Sequence, residues 1–300
     1  MANMFYMPMN RRKFIQTSLG ALGAAVTVSV ADDLSAEENK NPTTRWAFLA
    51  DTHIPADENN IYRGFYPYRN LAKVTSGIIS VAPDGAIIAG DLARLKGELG
   101  DYANLKKLLE PLAKKTPVFP ALGNHDNRVN FYKVFKTIPG EKQAIKNKHV
   151  IVIDKPPVRM IILDSLLYVN KVAGLLGKAQ RDWLANYLKN SDNTPTILFF
   201  HHTLDDGDGA LLDVPRLFKL IKPHRQVKCI VYGHSHAYSF SQWEGIQLIN
   251  LPAVGYNFRD TEPLGWVEAQ LTDQGGEFKL HAVAGNKKKD GSTIKLKWRT

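Results

Sequence analysis

Cysteine is almost absent from the 300 residues: Cys229 stands alone, inside the apolar run from Val227 to Tyr232. An intrachain disulfide and a thiolate metal cluster are therefore excluded, and Cys229 reads as a core residue. Long hydrophobic runs are missing too. The uncharged stretch from Leu19 to Val30 is short and dominated by Gly and Ala, too weak for a stable membrane span. There is no internal repeat and no low-complexity segment. Acidic excess is also lacking. The formal net charge is +10, with three of those charges in Arg11, Arg12 and Lys13, and the remainder still favours an anionic partner. Part of it is local, in Lys287, Lys288, Lys289, Lys295, Lys297 and Arg299, which read as a solvated basic tail over 285–300. No aromatic residue is interleaved with the Lys287–Lys289 run, which argues against a nucleic-acid surface.

What is present is enough apolar sequence, 44% of residues, for a sizeable core. At the N-terminus, Asn10-Arg11-Arg12-Lys13-Phe14-Ile15-Gln16 precedes the mild apolar stretch, and Ser29-Val30-Ala31 offers small residues for cleavage. This resembles a twin-arginine export signal over 1–31, followed by a polar linker over 32–43. With no cysteine nearby, a lipoprotein anchor is excluded. The expected location is periplasmic or secreted, reached in folded form through the twin-arginine translocation machinery.

From Arg45 onward, apolar strands alternate with amphipathic stretches, the pattern of an α/β domain over 44–284. Strands are expected at 46–50, 85–89, from Val118, and at 196–200 and 227–232, and helices at 68–81, 105–112, 131–135 and 179–188. The runs 149–153 and 159–163 flank Pro156-Pro157 as a hairpin, and antiparallel strands follow at 238–243, 246–250, 266–271 and 277–284.

Five of these strands end in polar, metal-capable side chains: Asp51-Thr52-His53, Gly90-Asp91, Gly123-Asn124-His125-Asp126, His201-His202 and Gly233-His234-Ser235-His236. Singly, each has an ordinary reading: a turn-forming Asp after Gly, a polar strand end, one satisfied and one exposed histidine. Together they place Asp51, His53, Asp91, Asn124, His201, His234 and His236 at the C-terminal edge of an α/β sheet, where ligands bind.

The series Asp-x-His, Gly-Asp, Gly-Asn-His-Asp, His-His and Gly-His-x-His, in this order over roughly 45–255, resembles the calcineurin-like metallophosphoesterase family. The resemblance implies a four-layer α/β/β/α sandwich of two mixed sheets flanked by helices. It also implies two metals, with Asp51, His53 and His236 on one, Asn124, His201 and His234 on the other, and Asp91 bridging. Oxygen donors mixed with imidazoles suit Mn, Fe or Zn. Two such cations about 3.5 to 4 Å apart share a water and aim the resulting hydroxide in line at phosphorus. By the same resemblance His125 donates to the phosphoryl or leaving-group oxygen, and Asp126 orients its imidazole. Gly123 is expected to permit the turn, Arg128 to bind substrate, and His202 to line the pocket or support a ligand by hydrogen bonding. Arg94 stands where purple iron enzymes of the family place a Tyr, so a tyrosinate charge-transfer band is not expected. The Leu163-Asp164-Ser165 strand end and Gln180 with Trp183-Leu184 resemble the cyclic-nucleotide phosphodiesterase branch, although Thr203-Leu204 stand where that branch commonly has prolines. The expected substrate is a small phosphodiester, a cyclic nucleotide or a glycerophosphodiester. The alternatives are a phosphomonoesterase or nuclease of the same fold, or a non-catalytic metal-bound binding protein.

Overall fold

A computed structural model describes residues 42–300; the expected export signal and all but the last two residues of the expected linker lie outside the described residues. Strands β1 (Thr44–Leu49), β2 (Gly85–Ile88) and β3 (Val118–Pro120) are parallel neighbours, separated by helices α1 (Pro67–Val81) and α2 (Leu99–Ala113). After α3 (Arg128–Val134) come β4 (Glu141–Lys142), β5 (Ile151–Lys155) and β6 (Val158–Ile162). Helix α4 (Lys178–Asn190), β7 (Thr196–Phe199), α5 (Val214–Ile221) and β8 (Val227–Tyr232) follow, then β9 (Ser239–Trp243), β10 (Ile246–Asn250), β11 (Pro263–Leu271), β12 (Gly275–Gly285) and β13 (Thr293–Lys297).

The strands form two mixed sheets, one ordered β13-β12-β11-β1-β2-β3 and the other β4-β5-β6-β7-β8-β10-β9. Alternation along each inner strand divides its side chains between two layers. In β1, Trp46 and Phe48 enter the core between the sheets, where they meet Phe199, Cys229 and Ile249, while Ala47 and Leu49 face α1 and α2. Residues Leu198 and Ile230 of the second sheet pack instead against Leu184, Leu217 and Phe218 of α4 and α5. The result is the expected α/β/β/α sandwich, with Cys229 buried in its middle.

Several elements depart from the sequence expectation for local reasons. Helix α2 begins six residues before Leu105 because Glu98 and Asp101 form a reciprocal capping box there. No element is expected at Val214–Ile221, yet Val214, Leu217, Phe218 and Ile221 are buried at helical spacing behind an N-terminal Pro215. The late strands pair antiparallel as expected, β9 with β10 and β11 with β12, but the two pairs belong to different sheets. β9 and β10 join the second sheet, where β10 runs parallel to β8, while β11 and β12 join the first against β1.

The expected solvated tail is instead part of the fold. β13 pairs with β12, Trp298 is buried with its Nε1 donating to the Thr272 carbonyl at 3.0 Å, and Arg299 donates to the carbonyls of Val227 (2.9 Å), His224 (2.6 Å) and Ile221 (3.3 Å). The lysines alternate outward along this strand, so its charge excess conceals an ordered edge. Among the described residues no helix is long and apolar enough to cross a membrane.

Trp298→Ala is expected to lower the stability of the folded chain by about 3 kcal/mol, the usual cost of truncating a buried Trp. Denaturant unfolding checks this, and an unchanged midpoint would return the segment to the status of a tail.

Candidate metal centre

The C-terminal ends of β1, β2 and β3 from one sheet and of β7 and β8 from the other converge on one edge of the sandwich. Beyond their last paired strand residues, the β1 and β2 chains stay side by side: Asp51 N donates to Gly90 O, His53 N to Asp91 O and Ile54 N to Leu92 O, at 2.9 to 3.0 Å. Asp51 (φ 54°), His53 (46°), Asp91 (49°), His234 (72°) and His236 (52°) all adopt the left-handed backbone region. Such conformations cost non-glycine residues roughly 1 to 3 kcal/mol each and gather where a side chain has to be aimed.

Their side chains meet. His53 Nε2 lies 3.1 Å from His236 Nε2, and Asp51 Oδ1 lies 3.3 Å from His236 Nε2 and 3.9 Å from His53 Nε2. On the other side, His201 Nε2 is 3.1 Å from His234 Nδ1, 3.2 Å from Asn124 Oδ1 and 3.3 Å from Asp91 Oδ2. Asp91 Oδ2 is also 3.6 Å from His53 Nε2, so this one oxygen faces both groups. The seven residues expected as ligands are thus brought together. Asp51–His53–His236, Asp91–His201–His234 and His53–Asp91–His125 each offer donor atoms close enough for one cation.

The outer contacts decide how these groups present themselves. His201 Nδ1 donates to Ala89 O (2.9 Å) and His236 Nδ1 to Tyr256 O (2.5 Å), because a carbonyl can only accept. Both Nε2 lone pairs therefore point inward at carboxylates and at other imidazoles, which is the tautomer a metal requires. Burial pushes His53 down to about 3, and burial with the nearby His201 pushes His234 down to about 4. Burial also disfavours charge on His201, but Asp91 and Asp51 outweigh it and carry that imidazole up to about 9. This donor set, nitrogen and carboxylate oxygen without sulfur, fits two divalent cations flanking Asp91.

His125 is partly exposed, with 17% of its side chain accessible. Its Nδ1 donates to Leu95 O at 2.9 Å and its Nε2 lies 3.9 Å from Asp91 Oδ2. It lines an open cavity of about 360 Å³ together with His53, Asp91, Asn124, His234, His236, Tyr256 and Phe258. A larger surface groove of about 650 Å³ beside α2 and β3 gathers no comparable set of donors.

Two expected roles are corrected. Asp126 does not orient His125, since its oxygens already accept from Gly123 N (2.8 Å), Leu92 N (3.1 Å), Ala93 N (3.1 Å) and Tyr102 Oη (3.0 Å). Burial and the Asp91 charge push its pKa up to about 7 against the pull of those amides. Arg128 is not free to bind substrate: Nε and Nη2 form a two-pronged pair with the buried Asp164 at 2.6 and 2.7 Å, and Nη2 also meets Leu166 O. Gly123 opens the expected turn, with Asp126 N donating to its carbonyl at 3.2 Å, but its φ is not left-handed; a Cβ there would fall 2.2 Å from Asp91 Oδ1, so the residue is small because the two loops touch. His202 lies outside the cavity wall, with Nδ1 2.7 Å from Ser165 Oγ and Nε2 buried without a partner, and its ring stands 4.8 Å from that of His234. The residues least visible beforehand are Leu95 and Tyr256, which act through backbone carbonyls that no side-chain pattern encodes.

Comparison with known proteins adds independent findings. The family model described as calcineurin-like phosphoesterase matches residues 44–238. The chain is 29% identical over 238 residues to a probable cyclic nucleotide phosphodiesterase of Synechococcus sp., covering 76% of this chain and 88% of that one. It is 27% identical over 254 residues to a 3',5'-cyclic adenosine monophosphate phosphodiesterase of Haemophilus influenzae, covering 79% and 88%. A glycerophosphodiester phosphodiesterase of Enterobacter lignolyticus is 24% identical over 229 residues, covering 72% and 81%. Among solved structures, a dimetal phosphatase from Danio rerio superposes with a TM-score of 0.66 at 14% identity, covering 85% of this chain and 99% of that one, a likeness of fold.

Arg128→Ala is expected to destabilise the protein by about 3 to 5 kcal/mol, because it leaves Asp164 buried and unpaired. The same substitution should leave KM for a phosphoester nearly unchanged in the folded protein. A selective rise in KM at unaltered stability would restore Arg128 to substrate binding.

Proposed function

The chain belongs to the calcineurin-like phosphoesterase family, and on that premise we propose that it is a metal-dependent phosphodiesterase that hydrolyses a small phosphodiester and works outside the cytoplasm. The observation that carries the diester preference is the cavity wall, which contains no Lys or Arg and includes the carboxylate of Asp205. A diester phosphate bears one negative charge and is served by the metal site alone. A monoester dianion would bring a second charge that no Lys or Arg of the lining meets, the nearby Arg63 and Arg94 being engaged with backbone carbonyls and with the Tyr62 ring. Relatives named as cyclic-nucleotide and glycerophosphodiester phosphodiesterases support the same reading.

In this reading Asp51, His53 and His236 hold one cation, Asn124, His201 and His234 the other, and Asp91 serves both. When bound, the pair supplies positive charge against the phosphoryl oxygens and a nucleophile at neutral pH. The chain's own part is positional. The Ala89 and Tyr256 carbonyls keep two imidazoles in the ligating tautomer, and Asp126 ties the Asp91 and Asn124 loops together through backbone amides. His125, steadied by the Leu95 carbonyl, presents Nε2 to the cavity; as an imidazolium, with Nδ1 still donating to Leu95 O, it can donate to a phosphoryl oxygen or pass its Nε2 proton to the leaving oxygen. The folded domain extends through Arg299 rather than ending at 284. Residues 1–31 would act as the twin-arginine export signal, ahead of a short linker.

Protein loaded with Mn is expected to cleave bis(p-nitrophenyl) phosphate faster than p-nitrophenyl phosphate. His125→Ala should lower kcat about 10²- to 10⁴-fold with metal content, measured by elemental analysis, unchanged. Full activity in that variant removes His125 from the chemistry, and a preference for the monoester overturns the diester reading. For export, Arg11→Lys with Arg12→Lys should retain the protein in the cytoplasm on cell fractionation, whereas unaltered export refutes the twin-arginine route.

A further inference from the structure

One wall of the cavity is aromatic. Tyr256 rests against His53 at 4.6 Å and His236 at 4.7 Å between ring centroids, and Phe258 lies against His236 at 4.4 Å with the planes 30° apart. Tyr62 meets Tyr256 edge-on at 4.6 Å. Phe258 is nonetheless 48% exposed and Tyr62 36%, an unusual state for large rings that adjoin a deeply buried polar cluster. A single exposed aromatic residue on a loop needs no explanation. Here two rings of the cavity lining pack on candidate metal ligands and a third, Tyr62, packs on one of them, so the aromatic wall begins beside the cluster that would hold a phosphoryl group.

The wall is also held in place. Arg63 Nε donates to Asn257 O (2.9 Å) and Nη2 to Phe258 O (3.2 Å), and its guanidinium lies 5.4 Å from the Phe258 ring centroid. The Arg94 guanidinium sits over Tyr62 at 4.0 Å. Rings with cations beside them form a surface suited to a flat, electron-rich substituent. They offer little to a polyol, whose hydroxyls would need hydrogen-bonding partners on each side.

We propose that Phe258, backed by Tyr256 and flanked by Tyr62, is the stacking subsite for a planar heteroaromatic substituent of the phosphodiester, a nucleobase. The proposal rests on the phosphodiesterase reading above and goes further, in that it sets a nucleotide apart from a glycerol ester. Stacking by a ring face tolerates any base, so the subsite selects nucleotide over glycerol and discriminates weakly among bases.

The test is calorimetric binding of adenosine monophosphate and of glycerol 3-phosphate to Mn-loaded protein, together with hydrolysis of a cyclic nucleotide and of glycerophosphocholine. The natural sequence should bind the nucleotide about tenfold or more tightly than the glycerol ester. Phe258→Ala should remove that preference while leaving glycerol 3-phosphate affinity unchanged, and Phe258→Trp should restore it. Equal binding of the two ligands by the natural sequence, or a parallel loss for both in Phe258→Ala, overturns the subsite. Nucleotide preference without hydrolysis of either diester overturns the phosphodiesterase reading and leaves the subsite standing. Hydrolysis without nucleotide preference does the reverse.

Discussion

The Asp91 carboxylate is the point on which the two halves of this structure depend. One oxygen accepts from His125 N at 2.9 Å, and the other stands 3.6 Å from a histidine that follows β1 and 3.3 Å from one that follows β7. It is buried, and the imidazoles around it hold its pKa well below the ordinary carboxylate range in spite of the burial. A buried anion facing several inward lone pairs is costly unless a positive charge lies among them. The donor set around Asp91 is arranged so that divalent cations would supply that charge.

Holding this arrangement requires the backbone to accept conformations it would not adopt freely. Five of the residues concerned are left-handed and none is glycine. The cost is offset by continuing the strand-to-strand hydrogen bonds past the ends of β1 and β2, and by crossing between sheets through Val254 N to Ala50 O (3.0 Å) and Gly255 N to Asp51 O (2.9 Å). Glycine appears where a neighbour leaves no room: a Cβ at Gly123 would meet Asp91, and one at Gly233 would fall 2.4 Å from Asp51 Oδ2. The loops are shaped by mutual contact as much as by their own torsional preferences.

Behind the ligands stands a layer of charged and polar residues that do not line the cavity. Asp126 ties the β2 and β3 loops to the Tyr102 hydroxyl, and Arg128 ties the start of α3 to Asp164 after β6. Both occur inside or beside the motif most suggestive of chemistry, and both do structural work. In a buried, low-dielectric site a carboxylate with four donors has no acceptor capacity left, and a guanidinium whose Nε and Nη2 are committed to a buried carboxylate is held there rather than in the cavity lining. Proximity in sequence to His125 therefore says little about which side of it a residue occupies.

Much was legible in the sequence. Alternating apolar strands and amphipathic stretches determined an α/β core, because burial on two faces demands that periodicity, and five polar strand ends in one chain determined that metal-capable side chains would share an edge. Residue type alone also determined that sulfur would play no part. Tertiary structure alone decided the rest. Leu95 and Tyr256 orient histidines through carbonyls, which every residue possesses, so no side-chain pattern could mark them. Arg128 and Asp126 were assigned by contacts 36 and 34 residues distant along the chain. The basic C-terminus was ordered by an apolar face two residues in period and by carbonyls of the other sheet, which outweigh the charge that made it read as a tail. Sequence carries the chemistry of a side chain, whereas the partner that uses that chemistry up is known only once distant segments have met.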